Sequence, residues 1–172
     1  MNKKTVKTLE FDKIAQKLAS YAVMDVTKSA AKNISFETNI DKVNIMLSET
    51  AKGCELITKK GNPPIFCADD IRSAIKRCEL SGTLSPRELI GVAKLLKTAR
   101  MFKTYPDDID AGPLSEHIEA LFVNKALETK IFSVIIDDET IADDASPELS
   151  DIRRKLKGTN KKIKDILQDM IS

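Results

Sequence analysis

The chain has 172 residues, of which 42% are hydrophobic and 31% charged, a composition typical of an ordered globular protein with room for one domain and an extension. Only 5% of residues are aromatic, Trp is absent, and Gly and Pro number 6 each, so helices are favoured over strands. The net charge of +2 is too small to indicate a nucleic-acid partner by itself. No apolar run is long enough to span a membrane and no cleavable apolar leader follows Met1, so we expect a cytoplasmic protein without a membrane partner.

The first third of the chain predicts three helices. Thr8 is placed to cap a helix over about 9–22, and a shorter helix over about 25–34 follows. Thr38, with Asp41 three residues later, is typical of a capping box that opens a third helix. The apolar stripe of this third helix, which we expect to face the core, consists of Val43, Leu47, Ala51, Cys54 and Ile57.

The middle of the chain contains the best-marked helix start. Asp69 or Asp70 is placed to cap a short helix before it. Ser85, Pro86 and Glu88 then supply an N-cap, a proline at the first helical position and an acid at the third. The apolar residues that follow form a stripe broad enough to be largely enclosed; they are Leu89, Ile90, Val92, Ala93, Leu95, Leu96, Ala99 and Phe102.

After this fifth predicted helix the helical signal weakens. Helices near 114–122 and 125–134 are followed by two isoleucines, an acidic turn and a third isoleucine, which allow one short β-hairpin near 135–143. The acids do not match a calcium-binding loop, because Ile141 and Ala142 occupy positions where an oxygen ligand and a glycine belong. A solvated turn that leads into the next helix cap explains the same residues.

Three cysteines and one histidine give no recognisable metal or catalytic pattern. Cys54, Cys67 and Cys78 are 13 and 11 residues apart, without a C-x-x-C pair, and only His117 accompanies them. Cys54 and Cys78 continue apolar helix faces, so we expect reduced, buried core thiols. His117 lies on a predicted helix, where an ordinary helix position explains it better than a role in a catalytic triad.

The sequence contains no phosphate-binding loop of the P-loop type. Such a loop needs two glycines five residues apart, followed by Lys and Ser or Thr. The glycines, at positions 53, 61, 82, 91, 112 and 158, include no pair at this spacing. We therefore expect no catalytic, cofactor-binding or metal-binding residue in this chain.

The last 26 residues predict one long helix. Ser146 is a good N-cap, Pro147 takes the first helical position, and Glu148 suits the positive helix start. No stop signal follows, so at about 1.5 Å per residue the rod measures about 39 Å. A coiled-coil-like seam runs along it through Leu149, Ile152, Leu156, Ile163, Ile166 and Met170. In isolation this seam should pair with a second copy or fold back on the core, because wet apolar side chains are unfavourable.

The same helix carries the basic excess of the chain. Residues 149–172 contain seven Lys or Arg and three Asp, a net charge of +4, which leaves −2 for the remainder. Such a face can contact phosphates and release counterions, although most basic runs are simply solvated. Since the segment has no aromatic residue, any nucleic-acid contact would be electrostatic and independent of base sequence. The candidate nucleic-acid or partner contacts are Arg153, Arg154, Lys157, Lys161 and Lys164.

Several segments resemble, in order, the N-terminal region of the second bacterial branch of the MutS proteins, a mismatch-repair family. Each segment alone is a weak signal, but together they span nearly the whole chain and their order makes the match specific. The segments are 8–14, 60–64, 70–72, 82–89, 145–149 and 152–154.

The resemblance implies an all-α fold, with a helical core domain over 1–145 and the start of a lever helix over 146–172. This lever would lead towards a clamp and later return to an ATPase domain. The resemblance also implies a homodimeric parent that uses ATP and Mg, binds branched DNA, suppresses homologous recombination and carries a C-terminal endonuclease domain. The chain itself would be a non-catalytic segment whose partners are its own downstream clamp and ATPase domains. The lever-packing residues would be Leu149, Ile152, Leu156, Ile163 and Ile166.

Two alternatives stay open at this level. Members of the same branch are linked to ribosome quality control, so the arm or the core could belong to an ATPase that splits collided ribosomes. The other alternative is a plain helical adaptor whose seam recruits an unrelated coiled coil.

Overall fold

The computed structural model describes residues 8–66 and 69–171, and within these ranges it contains helices but no strand. The all-α prediction is confirmed. The α-helices of the described ranges are α1 (Phe11–Tyr21), α2 (Asp25–Lys32), α3 (Ile40–Lys60), α4 (Arg72–Glu79), α5 (Pro86–Lys103), α6 (Ser115–Glu119), α7 (Lys125–Val134) and α8 (Pro147–Ile171). A 3-10 turn at Gly112–Leu114 precedes α6.

The best-packed part of the chain is the pair formed by α5 and α7. The predicted capping box starts α5: the Ser85 hydroxyl accepts the Glu88 N–H at 3.3 Å, and the Glu88 carboxylate accepts the Ser85 N–H at 2.9 Å. Half-buried side chains from both helices surround the contact between them. Its buried centre consists of Ile90, Ala93, Ile131 and Ile135. The prediction that the α5 stripe is largely enclosed is therefore confirmed.

An ion pair closes the same interface. The Nε and Nη2 atoms of Arg100 on α5 donate to the two carboxylate oxygens of Glu128 on α7, at 2.9 and 2.8 Å. Glu128 is only 6% exposed, and the guanidinium holds the pKa of its carboxyl below the ordinary value. Because a buried carboxylate is stable only when it is paired, this two-pronged contact fixes α5 against α7.

The remaining elements attach to this core less completely. α1 and α2 pack against each other as a hairpin, and the 3-10 turn packs on α3. An apolar cavity of about 460 Å³ lies between α3, α5 and α6. The accessible surface is 13048 Å², whereas a compact monomer of 19.1 kDa exposes about 8400 Å². The chain therefore leaves much more surface open than a self-contained globule of its size.

α3 turns its predicted core face outward. Leu56, which is outside the predicted stripe, is 3% exposed, whereas Leu47 and Ile57 of that stripe are 62% and 46% exposed. Periodicity identifies an apolar stripe but not the neighbour that covers it. The main partner of α3 is the short 3-10 turn, which is too small to cover the helix on both sides.

The two helix caps predicted in the first third of the chain are wrong. The N-cap of α1 is Glu10, in a left-handed conformation with φ of 51°, and not Thr8. α3 is capped by Asn39, whose side-chain oxygen accepts two backbone N–H groups of the first turn, one of them from Asp41 at 2.9 Å. Asn39 replaces the predicted capping box of Thr38 and Asp41, since Asn is at least as good a cap as Thr and lies next to the first helical residue.

The predictions for the cysteines are partly correct. Cys54 and Cys78 are free thiols as expected, but both are exposed, so their prediction as buried core residues is wrong. Cys54 is exposed because the outward face of α3 carries it. Cys67 lies outside the described residues. The N-cap of α4 is Ile71, without a side-chain cap bond, so the prediction that Asp69 or Asp70 caps this helix is wrong. Asp70 lies one residue too early, and its carboxylate accepts the N–H of Arg72 at 3.0 Å.

The segment between α7 and α8 forms one antiparallel bridge, from Ile135 to Ile141. The Ile136 N–H donates to the Thr140 carbonyl at 3.0 Å beside it. Asp137 accepts the Thr140 N–H at 2.7 Å and closes the turn. The hairpin that the sequence allowed near 135–143 is thus reduced to an isolated bridge, because α7 ends at Val134 and the chain turns towards α8 directly after Ala142, which leaves no length for paired strands.

Candidate functional site

α8 carries all of the candidate contact residues. It begins as predicted, because the Ser146 hydroxyl accepts the Leu149 N–H at 3.1 Å and Pro147 is the first helical residue. The helix has 25 residues, which corresponds to about 37 Å. None of the described α8 residues is buried. The helix therefore presents both its apolar seam and its basic side chains to solvent.

The apolar seam is open along most of α8. Leu149 at the base is half-buried. Ile152, Leu156, Ile163 and Ile166 are 61%, 60%, 50% and 54% exposed. The seam therefore does not fold back on the core, so one of the two arrangements predicted for the isolated arm is wrong. Pairing with a second copy stays a prediction. An apolar stripe of this length, interrupted only at Thr159, is typical of an interaction surface.

Helical geometry places four of the five candidate cations in one row beside the seam. At 3.6 residues per turn, Arg153, Lys157, Lys161 and Lys164 lie within about 80° of each other around the helix axis. We call these four residues the basic stripe. Arg154 borders it on the side away from the seam. A single extended anion can therefore contact the whole stripe at once.

The base of the basic stripe is engaged by a carboxylate of the same chain. Lys157 Nζ lies 2.8 Å from one oxygen of Asp143, and Arg153 donates to the other oxygen and, at 2.8 Å, to the Ile141 carbonyl. Lys157 and then Arg153 hold the pKa of the Asp143 carboxyl below its ordinary value. Since the N–H of Ala142 donates to the last residue of α7 at 2.8 Å, these contacts tie α8 to the core.

The outer half of the basic stripe has no such carboxylate. Lys161 and Lys164 are exposed and form no ion pair with any residue of the described ranges. The sequence groups all five cations together, whereas the structure separates an occupied base from an open outer part. Asp143 was not identified as a partner, since it lies 10 and 14 residues before Arg153 and Lys157 and no local periodicity connects them.

The histidine and the first acid of the turn before α8 both have structural partners. His117 Nε2 lies 3.2 Å from the Glu49 carboxylate, which joins α6 to α3, and its side chain is 71% exposed. Asp137 accepts backbone N–H groups within its own turn. Within the described ranges, no three His, Cys, Asp or Glu side chains are grouped so as to hold a metal ion. The helices of these ranges also include none with the length and apolar character needed to cross a membrane.

Comparison with known proteins places the chain among curated relatives. No family model matches it. It is 39% identical over 175 residues to endonuclease MutS2 of Ruminiclostridium cellulolyticum and 36% identical over 176 residues to endonuclease MutS2 of Acetivibrio thermocellus. Endonuclease MutS2 of Clostridium tetani is 34% identical to it over 175 residues. Each alignment covers 99% of this chain. The resemblance to MutS2 is confirmed.

The similarity is to a segment of MutS2. The chain spans 22% of the length of each of these three relatives and corresponds to an N-terminal segment of MutS2. The endonuclease in their name is thus a property of MutS2 proteins several times longer than this chain. The exposed seam of α8 and the large open surface agree with a segment that packs against further protein.

Proposed function

We propose that this chain is the non-catalytic core and lever segment of a MutS2-type, DNA-binding ATPase. Residues 1–145 form the core and residues 146–172 the start of the lever. The parent protein hydrolyses ATP with Mg, carries a nuclease domain, and acts as a cytoplasmic homodimer on branched DNA to suppress homologous recombination. The observation that carries the proposal is the alignment of 99% of this chain with 22% of the MutS2 relatives.

The shape of α8 supports a lever. A helix about 37 Å long transmits a push or a rotation over that distance if its base is held and its side is supported. The contacts of Asp143 with Arg153 and Lys157 hold the base. A second helix can pack against the open seam and support the side of α8. In this proposal it is the helix that returns towards the ATPase domain.

The energetics of the seam support a docked partner. Leu149 and the four more exposed seam residues are the lever-packing residues of the proposal. Completing the burial of side chains that are now about half exposed contributes on the order of 1 kcal/mol each. Docking therefore yields on the order of 5 kcal/mol before the entropy of ordering is subtracted. Such a gain is large enough to hold a helix in place, and small enough to allow movement between two positions.

Titrations of the chain with nucleotide and DNA test this proposal. We expect no ATP binding in isothermal calorimetry, because the chemistry belongs to absent domains. We expect weak binding of a labelled four-way DNA junction in fluorescence anisotropy, falling steeply as salt rises from about 50 to about 200 mM. Nucleotide binding, or tight DNA binding that persists at high salt, would contradict the proposal.

A double substitution of the open cations localises the DNA contact. Lys161→Gln with Lys164→Gln should weaken junction binding and reduce the salt slope by about 2, because each lost phosphate contact removes about 0.9. The matched control is Lys76→Gln with Lys130→Gln, which removes the same charge from exposed lysines without an ion pair in the described ranges. Equal effects of the two pairs would remove α8 from the DNA interface.

A second pair of variants tests the seam. Sedimentation of the wild-type chain over a concentration series should reveal self-association, because the open seams of two copies can cover each other. Leu156→Glu with Ile163→Glu should abolish it, whereas Leu80→Glu, at a side chain that is 84% exposed outside the seam, should not. A wild-type chain that stays monomeric throughout would show that the seam needs a different helix.

A further inference from the structure

We propose that the cleft at the base of α8 is a binding site for a nucleic-acid phosphodiester, and that Asp143 occupies it as an internal competitor. The cleft has a volume of about 250 Å³ and is lined by Asp143, Ser150, Arg153, Arg154 and Lys157. This inference rests on the proposed function, because it names the part of α8 that meets the nucleic acid and the contact that controls access.

The side chains around the cleft suit a phosphate. Two arginines and one lysine line the space, and Ser150 lines it as well. Guanidinium groups bind phosphate oxygens in pairs, ammonium acts as a point charge, and a hydroxyl adds one donor. Besides Asp143, the acid that restrains these cations is Asp151, which lies 2.7 Å from Arg154 in an exposed pair one turn apart. Such exposed pairs are weak and exchange easily.

Asp143 holds the place that a phosphate would take. Its two oxygens are engaged separately, one by Lys157 and the other by Arg153, as the two free oxygens of a phosphodiester would be. The Asp143 side chain is 58% exposed, so the contact lies at the border with solvent. A strand with many charges can displace one carboxylate there, because an exposed ion pair contributes little.

The rest of the basic stripe leads away from the cleft in a direction that a strand can follow. Arg153 and Lys164 are eleven residues apart, about 17 Å along the helix, which is long enough to contact more than one phosphate of a strand. Lys161 and Lys164 have no ion pair within the described ranges. A strand therefore gains these open lysines first and then competes with Asp143 for the base.

Displacement of Asp143 has a mechanical consequence. The same carboxylate helps to tie α8 to the segment that is bridged to the end of α7. When a phosphodiester replaces it, this tie is lost and the base of α8 is held by the nucleic acid and by the bond from Arg153 to the Ile141 carbonyl. Nucleic-acid contact and freedom of the lever are thereby coupled through one side chain.

Two neighbouring aspartates provide the test. Asp143→Asn and Asp144→Asn remove the same charge from adjacent positions, and Asp144 is exposed and makes no ion pair within the described ranges. With a labelled 20-base-pair DNA duplex as the probe, we expect Asp143→Asn to bind about fivefold more tightly than Asp144→Asn at low salt, the effect of about one close charge pair in water. Its salt slope should be steeper by about 1 to 2, because one or two more cations then contact phosphates.

Controls separate blocking from unfolding and from general electrostatics. Asp143→Glu keeps the charge and should bind as the wild type does. Far-ultraviolet circular dichroism should be the same for all three variants. An RNA duplex of the same sequence forms the second arm: stronger enhancement with RNA would keep the phosphate site and assign its source to RNA.

The outcomes distinguish this inference from the proposed function. Equal DNA affinities of Asp143→Asn and Asp144→Asn, together with weakened binding by the Lys161 and Lys164 double variant, would overturn only the competition by Asp143. Absence of DNA and RNA binding in every variant, Asp143→Asn included, would overturn both.

Discussion

α5, which packs against α7, and α8 start with similar sequence signals, but their apolar faces lie in opposite environments. α5 and α8 each start with a serine cap and a proline, and each carries an apolar stripe. In the first region the stripe meets α7 and its centre is buried. In the second region the stripe lies in solvent. An amphipathic pattern thus indicates that a helix face needs a partner, but it does not indicate whether that partner belongs to the same chain.

An Ile-to-Ala substitution in each region should give the largest difference in the free energy of unfolding. Ile131→Ala should lower the free energy of unfolding by about 2 to 5 kcal/mol, because this side chain is 7% exposed and its loss leaves a cavity. Ile163→Ala should change it by less than about 0.5 kcal/mol, because Ile163 is 50% exposed. Urea unfolding monitored by circular dichroism measures both. Comparable losses would mean that α8 is packed into the same cooperative unit as α7.

The ion pair of the core gives the next largest effect and depends on pH. Glu128→Gln should cost about 1 to 3 kcal/mol, because Arg100 loses its charged partner at a buried site. The Glu128 pKa is lowered from 4.5 in the folded chain, so this contribution is complete above pH 4.5 and is lost as the pH falls through the lowered value. Urea midpoints between about pH 5 and pH 3 should fall less steeply for Glu128→Gln than for the wild type.

Glu139→Gln is the matched control for this pH dependence. Glu139 is exposed and has no ion pair in the described ranges, so its substitution should leave the wild-type slope in place. A slope that flattens equally in both variants would mean that the Arg100 pair is not the source of the acid sensitivity.

Replacing the two capping serines should affect different parts of the molecule: the whole core at Ser85 and only α8 at Ser146. Ser85→Ala should lower the global free energy of unfolding by about 1 kcal/mol, because it removes the capping box of a core helix. Ser146→Ala removes a comparable bond at the start of α8 and should loosen that helix while the urea midpoint stays nearly constant. Hydrogen exchange of the α8 amides measures the loosening of α8 in Ser146→Ala. A drop in the midpoint for Ser146→Ala would tie α8 to the stability of the core.

Gly-to-Ala substitutions at one position in α8 and one in α5 should give the smallest difference in stability. A Cβ at Gly158 of α8 meets nothing within 4 Å, so Gly158→Ala should stabilise that helix by up to about 1 kcal/mol. A Cβ at Gly91 of α5 would lie 3.2 Å from Ile71 Cγ2, so Gly91→Ala should gain less or lose stability. Ellipticity at 222 nm during heating compares them. An equal gain in stability for both variants would show that the Ile71 side chain moves aside without cost.

The two helix starts marked by a serine followed by a proline were predicted correctly, because such a cap depends on residues within one turn. The starts of α5 and α8 required only Ser85 with Glu88 and Ser146 with Pro147. The start of α3 was missed by one residue, since Thr38 and Asn39 both satisfy the local rule and only the backbone decides between them.

Features that depend on distant neighbours were not predictable in the same way. The outward face of α3 follows from which element happens to lie beside it, and the exposure of Cys54 follows from that face. The candidate site shows the same limit: the row of cations can be read from helical spacing, but the engagement of Arg153 and Lys157 by Asp143 depends on how the preceding turn lies against α8.

Amide hydrogen exchange of the wild-type chain, at a concentration where it is monomeric, tests most directly whether the seam of α8 lacks a partner here. The amides of α5 and α7 should exchange only through global opening, whereas those of α8 beyond Lys161 should exchange through local fraying, with protection lower by about a hundredfold or more. Protection of the outer half of α8 equal to that of α7 would contradict the account, because it would mean that the seam is already covered within this chain.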